Sequence, residues 1–202
     1  LPFNPNAAGH VSRYSARFLK VMNSKQRLTI TVLVFCIALF SVGPARVSAE
    51  PATESRIKAA YLLNFARFVT WPEEAFDNSV APIVLCVLGD DPIDSALPTI
   101  QYKRVQNRPL EIRHITSLGE LPRCHMLFVG ETPPKTIQQV LTAIGTRPIL
   151  TVSSLPGFSS RGGMLTFIKT ENKIRFEVNL STTRTAGLSI SSRLLKLARL
   201  VP

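Results

Sequence analysis

The chain has 202 residues, 24 Lys and Arg against 13 Asp and Glu for a formal charge of +11, and three cysteines. That excess of basic charge sits at the front: the first 49 residues hold six of the basic side chains and no acid, leaving 18 against 13, a formal +5, for residues 50–202. A balance of that size keeps a small domain soluble and gives no nucleic-acid footprint, and the length of this remainder fits one domain.

Between Arg27 and Arg46 runs an uncharged, mostly apolar stretch, preceded by Lys25 and Arg27 and followed by Val47-Ser48-Ala49. This is the pattern of a secretory signal peptide with small residues at the cleavage site. The alternative, a retained membrane anchor, is opposed by Gly43 and Pro44 late in the run, and Phe35 before Cys36 does not suit lipid attachment. Residue 1 is Leu and Met22 opens a well-formed signal, so residues 1–21 read as an upstream extension, residues 22–49 as the signal, and residues 50–202 as a periplasmic domain.

In chain order, Thr53 to Val69 predicts an amphipathic helix with Thr53 as N-cap and Ile57, Ala60, Tyr61, Asn64 or Phe65, and Phe68 on its stripe; Trp71-Pro72 stops it. Trp71 reads as a packing anchor. Pro82 to Gly89 is a continuous apolar run, as in a strand buried on both faces. Asp90 and Asp91 follow it, and capping a helix that begins at Pro92 suits them better than acid chemistry. After a helix or loop at Asp94 to Ile100, Arg108 to Arg113 alternates as an outer strand, and His125 to Val129 reads as a second buried strand. Pro133 to Ile144 is a helix with Ile137, Val140, Leu141 and Ile144 on one face, and Pro148 to Val152 is a further strand.

Beyond the turn Pro156 to Gly163 the pattern changes. Met164 to Lys169 and Lys173 to Val178 alternate across Thr170-Glu171-Asn172 as a β-hairpin, a short helix runs from Asn179 or Ser181 to about Ala186, and Ser191 to Leu200 predicts a last amphipathic helix. The sum is a single-domain α/β layered fold with a mostly parallel central sheet, a C-terminal antiparallel hairpin and flanking helices.

Two cysteines lie beyond the signal, Cys86 and Cys124. In an oxidising compartment an even pair predicts a disulfide, with two buried thiols as the alternative. Cys86 stands three residues before Gly89 and Cys124 six before Gly130, so an ideal parallel alignment would offset them. Cys124-His125 is too little for a zinc site. No nucleophile elbow and no phosphate loop is present in the sequence, and His114 and His125 read as surface or packing residues. The expectation is therefore no enzyme, no metal and no cofactor.

Ile57-Lys58-Ala59-Ala60-Tyr61-Leu62-Leu63-Asn64-Phe65-Ala66-Arg67-Phe68-Val69-Thr70-Trp71-Pro72, Leu85 to Pro92, Cys124 to Val129, Gly162-Gly163-Met164, Arg175-Phe176-Glu177-Val178-Asn179 and Ser191 to Ala198 together resemble the YfiR family in order and spacing. The resemblance implies a periplasmic regulator that binds the periplasmic domain of an inner-membrane diguanylate cyclase of the YfiN type and holds it inactive, lowering cyclic-di-GMP output. It marks Cys86 and Cys124 as a redox-sensitive pair. A second pair of some members has no counterpart here, Ser159 and Thr166 standing nearby. It places the partner-binding surface at Glu177, Leu180 and, on the preceding strand, Leu165.

Glu177 falls between Phe176 and Val178 and should face away from their side of the sheet, free for a basic partner; the alternative is a structural Glu paired with Arg175 or a helix terminus. On the first reading, Glu177→Lys weakens partner binding without disturbing the fold. The competing function is a small-ligand sensor with its crevice near Gly89-Asp90-Asp91 and Gly130-Glu131-Thr132, beyond the carboxyl ends of the strands. Whether the protein forms a homodimer stays open.

Overall fold

The computed structural model describes residues 50–202, so the segments read from sequence as an upstream extension (1–21) and a signal peptide (22–49) lie outside the described residues. In these 153 residues the elements are α1 (Glu50–Phe68), β1 (Val69–Thr70), β2 (Ile83–Leu88), β3 (Arg104–Val105), β4 (Arg108–His114), β5 (Met126–Val129), α2 (Pro134–Ile144), β6 (Leu150–Ser153), β7 (Leu165–Thr170), β8 (Lys173–Asn179), α3 (Leu180–Thr185), β9 (Ser189–Ile190), α4 (Ser192–Leu195) and β10 (Arg199–Val201). Eight strands form one sheet in the order β3-β4-β2-β5-β6-β7-β8-β10. The central strands β4, β2, β5, β6 and β7 run parallel; β7 and β8 pair antiparallel, and so do β3 and β4. β1 and β9 form a separate two-stranded pair. The predicted layered α/β fold is the observed one, and among the described residues no helix is long and apolar enough to cross a membrane.

Both faces of the sheet carry core. Ile83, Leu85 and Val87 of β2 join Met126, Phe128, Leu150, Val152, Phe167 and Phe176 under α1, while Val84 and Cys86 join Leu127, Val129 and the α2 residues Ile137, Val140 and Ile144 on the other side. The apolar run of β2 is thus read correctly as two interleaved faces. Tyr61 and Phe65 of α1 meet Phe167 and Phe176 of the hairpin with ring centroids 5.0–6.0 Å apart.

Three expectations change. Thr53 lies inside α1, because the helix already begins at Glu50. The buried stripe of α1 is Ser55, Ala59, Leu62, Leu63, Phe65 and Ala66, whereas Ile57 is 40% exposed and Ala60 is exposed. The run from Ala59 to Phe68 is apolar at so many positions that two stripes fit it, and the sheet takes the one in which Ala59 and Ala66 permit close approach. The last helix is only Ser192–Leu195, after which Arg199–Val201 becomes a strand on the edge of β8. Leucines at helical spacing favour either state there; the unpaired backbone of β8 decides it.

At the switch point, β2 has β4 on one side and β5 on the other. The loops that would flank a ligand crevice meet directly: Asp90 and Glu131 form a backbone bridge, and a Cβ at Gly130 would stand 2.7 Å from the Asp90 carbonyl oxygen. Asp91 caps the following turn by accepting from the Ile93 N–H at 2.9 Å. Cys86 and Cys124 are disulfide-bonded with Cα atoms 5.7 Å apart. The register offset is real, with Cys86 opposite Leu127, but Cys124 ends the 3₁₀ turn Leu118–Arg123 and is brought over the sheet face from there. A native disulfide of this kind contributes about 2–4 kcal/mol.

Gln106 sits at φ 49° in the tight β3–β4 turn and its Nε2 donates to the carbonyls of Ala66, Arg67 and Val69 at 3.2, 3.2 and 2.9 Å, covering the end of α1 whose carbonyls lack helical partners. Gln106→Ala should lower unfolding free energy by about 1–2 kcal/mol, read from urea denaturation.

His125 stands just before β5, at the amino-terminal end of the central strands. Its Nδ1 accepts from the Val84 N–H at 3.1 Å and its Nε2 donates to the Ala75 carbonyl at 2.9 Å, while its own carbonyl accepts from Trp71 Nε1 at 3.0 Å. The ring stacks on Phe76, which carries the Arg108 guanidinium on its other side. An accepting Nδ1 requires the neutral imidazole, and burial, with Arg108 and Arg113 adding to it, pushes the pKa below the ordinary 6.5 against the pull of the Ala75 carbonyl and Asp77. The unfolded chain therefore binds the proton first. This contribution to stability is complete above about pH 6.5 and is lost as pH falls below it; urea midpoints at pH 7.5 and 5.5 should show the loss, and His125→Asn, which keeps an acceptor near Nδ1, should flatten it.

Candidate partner-binding site

The hairpin that carries the marked residues is closed by Glu171 and Asn172, both with positive φ (49° and 58°), as a tight turn between twisted strands requires. Its register sets Thr166 opposite Glu177 and Leu165 opposite Val178, and β10 adds Arg199 on the far side of Glu177. Alternation then separates the side chains. Phe176 and Val178 enter the core under α1, and Glu177 points to the other face, as its position predicts.

On that face Glu177 is buried, 6% exposed. One carboxylate oxygen accepts from the Ser159 hydroxyl at 2.9 Å and the other pairs with the Arg199 guanidinium. The Ser159 N–H donates to Thr166 Oγ1 at 2.8 Å, so these two positions touch. Asn179 Nδ2 donates to the carbonyls of Ser159 (3.1 Å) and Pro202 (3.0 Å), and its Oδ1 caps α3 by accepting from the Thr182 N–H at 2.9 Å. Gly163 makes room for this corner, since a Cβ there would fall 2.2 Å from the Phe158 ring. One buried polar network thus ties the hairpin, the turn Ser159–Arg161, α3 and β10 together.

The three residues marked for partner binding are not one surface. Glu177 is buried in the network, Leu165 is fully buried under α1 on the opposite face, and Leu180 at the start of α3 is half-buried against the same core as Leu165. The cation on Glu177 is Arg199, four residues beyond the last turn of α4, and not Arg175. Sequence reasoning missed Arg199, Ser159 and Asn179 as a group, because a helix through Leu200 left β8 without its neighbour. Beside the network an open groove of about 490 Å³ is lined by Ile168, Thr170, Arg175, Lys196, Leu197, Ala198 and Arg199.

The disulfide lies on the same face as Glu177 but four strand steps away, from β2 across β5, β6 and β7 to β8, or about 19 Å at the usual strand spacing. It has no direct contact with the network. Among the described residues no three His, Cys, Asp or Glu side chains gather as metal ligands would.

A strand order with β2 at the switch point and a sheet covered on both faces define a small α/β domain. A family model described as YfiR/HmsC-like matches residues 55–199, from the second turn of α1 to the first residue of β10, and the chain belongs to that family. The family is one of regulators rather than catalysts.

Burial of Glu177 alters what its replacement does. Glu177→Lys would set a second cation against Arg199 in a closed corner and should cost about 2–4 kcal/mol of stability, whereas Glu177→Gln keeps the Ser159 contact and should cost about 1 kcal/mol; paired urea titrations of the two variants check the difference.

Proposed function

We propose that this protein is a periplasmic repressor that binds the periplasmic domain of a membrane-bound diguanylate cyclase of the YfiN type and keeps its output of cyclic-di-GMP low. The observation that carries the reading is the family match, which runs through nearly every element of the domain and includes the Glu177 corner. Export through a cleaved signal peptide fits the disulfide, since such bonds persist in oxidising compartments. Binding without chemistry fits the corner itself, where each polar side chain already has a partner within the fold. Of the three marked residues Leu180 is the one that reaches the surface offered to the cyclase, Glu177 and Leu165 act from within the fold by holding that corner in shape, and Cys86–Cys124 sets the rigidity of the domain and its response to redox conditions.

The test is capture of membrane proteins from detergent-solubilised extract on tagged residues 50–202, followed by mass spectrometry. Recovery of a diguanylate cyclase with an extracytoplasmic domain is expected, diminished with Glu177→Gln and accompanied by higher cyclic-di-GMP in cells lacking the protein. An extract that yields no cyclase, with nucleotide levels unmoved by the deletion, would refute the reading.

A further inference from the structure

β10 is held lightly for a strand that completes a sheet. Arg199 and Leu200 are exposed, Leu200 to 54%, and Val201 is half-buried, so the strand buries little apolar surface. What holds it is the parallel ladder Arg199–Glu177, Leu200–Val178, Val201–Asn179, the Arg199 guanidinium on Glu177, and the Asn179 amide on the Pro202 carbonyl. The strand beneath is the opposite, with Phe176, Glu177, Val178 and Asn179 all buried. A buried carboxylate is costly without a cation. Here the cation is supplied by the neighbour with the least packing to keep it in place.

We propose that β10 is a replaceable strand: the edge of β8 can take, in its place, an extended segment of a protein partner that runs parallel to β8 and sets an Arg or Lys opposite Glu177. The ladder supplies hydrogen bonds that any backbone can make, as in strand addition to a sheet edge, and Glu177 supplies the selection, because an incoming strand without a cation leaves the carboxylate unpaired. The groove beside the hairpin has Ile168, Thr170 and Arg175 on one wall and Arg199 of β10 on the other, so displacement of β10 opens it and leaves the hairpin wall for the side chains of the segment. Tethering gives β10 an effective concentration on the order of millimolar against any competitor, so exchange is rare until the Arg199–Glu177 contact is loosened or the partner offers more contacts. The inference rests on the partner-binding reading for its biological meaning; strand exchange itself can be measured without a cyclase.

The experiment uses a fluorescein-labelled peptide of residues 196–202, Lys-Leu-Ala-Arg-Leu-Val-Pro, and fluorescence anisotropy. The chain lacking residues 199–202, shown to be folded by circular dichroism, should bind the peptide at least about tenfold more tightly than the full chain, in which β10 competes. Glu177→Gln in the shortened chain, or Ala for the Arg of the peptide, should remove about tenfold of that affinity. If the shortened chain does not fold, the full chain with Arg199→Ala takes its place with the same peptide, and hydrogen exchange of that variant should be faster at the β8 amides facing β10 and unchanged across β7. Absence of peptide binding to a folded protein, binding indifferent to Glu177, or exchange at β8 unaffected by Arg199→Ala would each overturn the proposal. None of these readouts involves a cyclase, so their failure leaves the repressor reading standing, and a failed capture experiment leaves strand exchange standing.

Discussion

Burial of β2, β5 and β6 on both faces is the constraint from which the rest follows. A strand covered on two sides admits almost no polar side chain without a partner, and among these three strands the polar exceptions are Thr151 and Ser153 of β6, whose hydroxyls bond the Met164 N–H and the Val129 carbonyl. Polar side chains are therefore displaced to the margins of the sheet. At one end of the strands His125 serves as a neutral bridge; at one edge Glu177 and Asn179 gather hydroxyls, a guanidinium and a helix cap. The centre supplies rigidity and holds the disulfide, and the margins hold the ionisable groups.

The two responsive margins are built differently. His125 is hydrogen-bonded by backbone groups and stacked on a ring, with charged side chains acting on it only at a distance. Glu177 is satisfied by side chains from two separate segments, the turn that carries Ser159 and the strand that carries Arg199, so its state depends on where those segments are. The disulfide lies next to His125 in the α2-side core, four strands from Glu177, fixing the crossover before β5 to the middle of β2. Its reduction would loosen that crossover without touching Glu177, so any effect on partner binding would travel through the sheet.

Much of the architecture was legible because burial writes itself as pattern. Ile83 to Leu88, Met126 to Val129 and the alternating hairpin could hardly be read otherwise, and Asp91 and Asn179 announce their caps by residue type and by the proline or helix that follows. The helix α1 was legible as a helix but not in its facing, since a run with leucines, alanines and aromatics at nearly every position carries too little contrast to orient it. β10 was illegible for another reason. Leu194, Leu195, Leu197 and Leu200 fit a helical stripe as well as they fit anything, and what makes Arg199–Val201 a strand is an open edge formed by residues 22 positions earlier. The same error hid the candidate site, because Glu177 cannot be assigned a partner until the strand that brings Arg199 has been placed.

Cys86 and Cys124 are the only cysteines from residue 50 onward, and that fixes how this part of the chain matures. Oxidation within it has one intramolecular product, so no wrong pairing awaits correction and no isomerase is called for; a thiol oxidant alone suffices. The bond closes a span of 38 positions that holds β4 and the crossover. Formed early, it would shorten the search by which β5 finds β2, since the entropy of closing that loop would already be spent. The same economy has a limit: with a single bridge there is no second link to preserve the crossover if a reductant reaches the first.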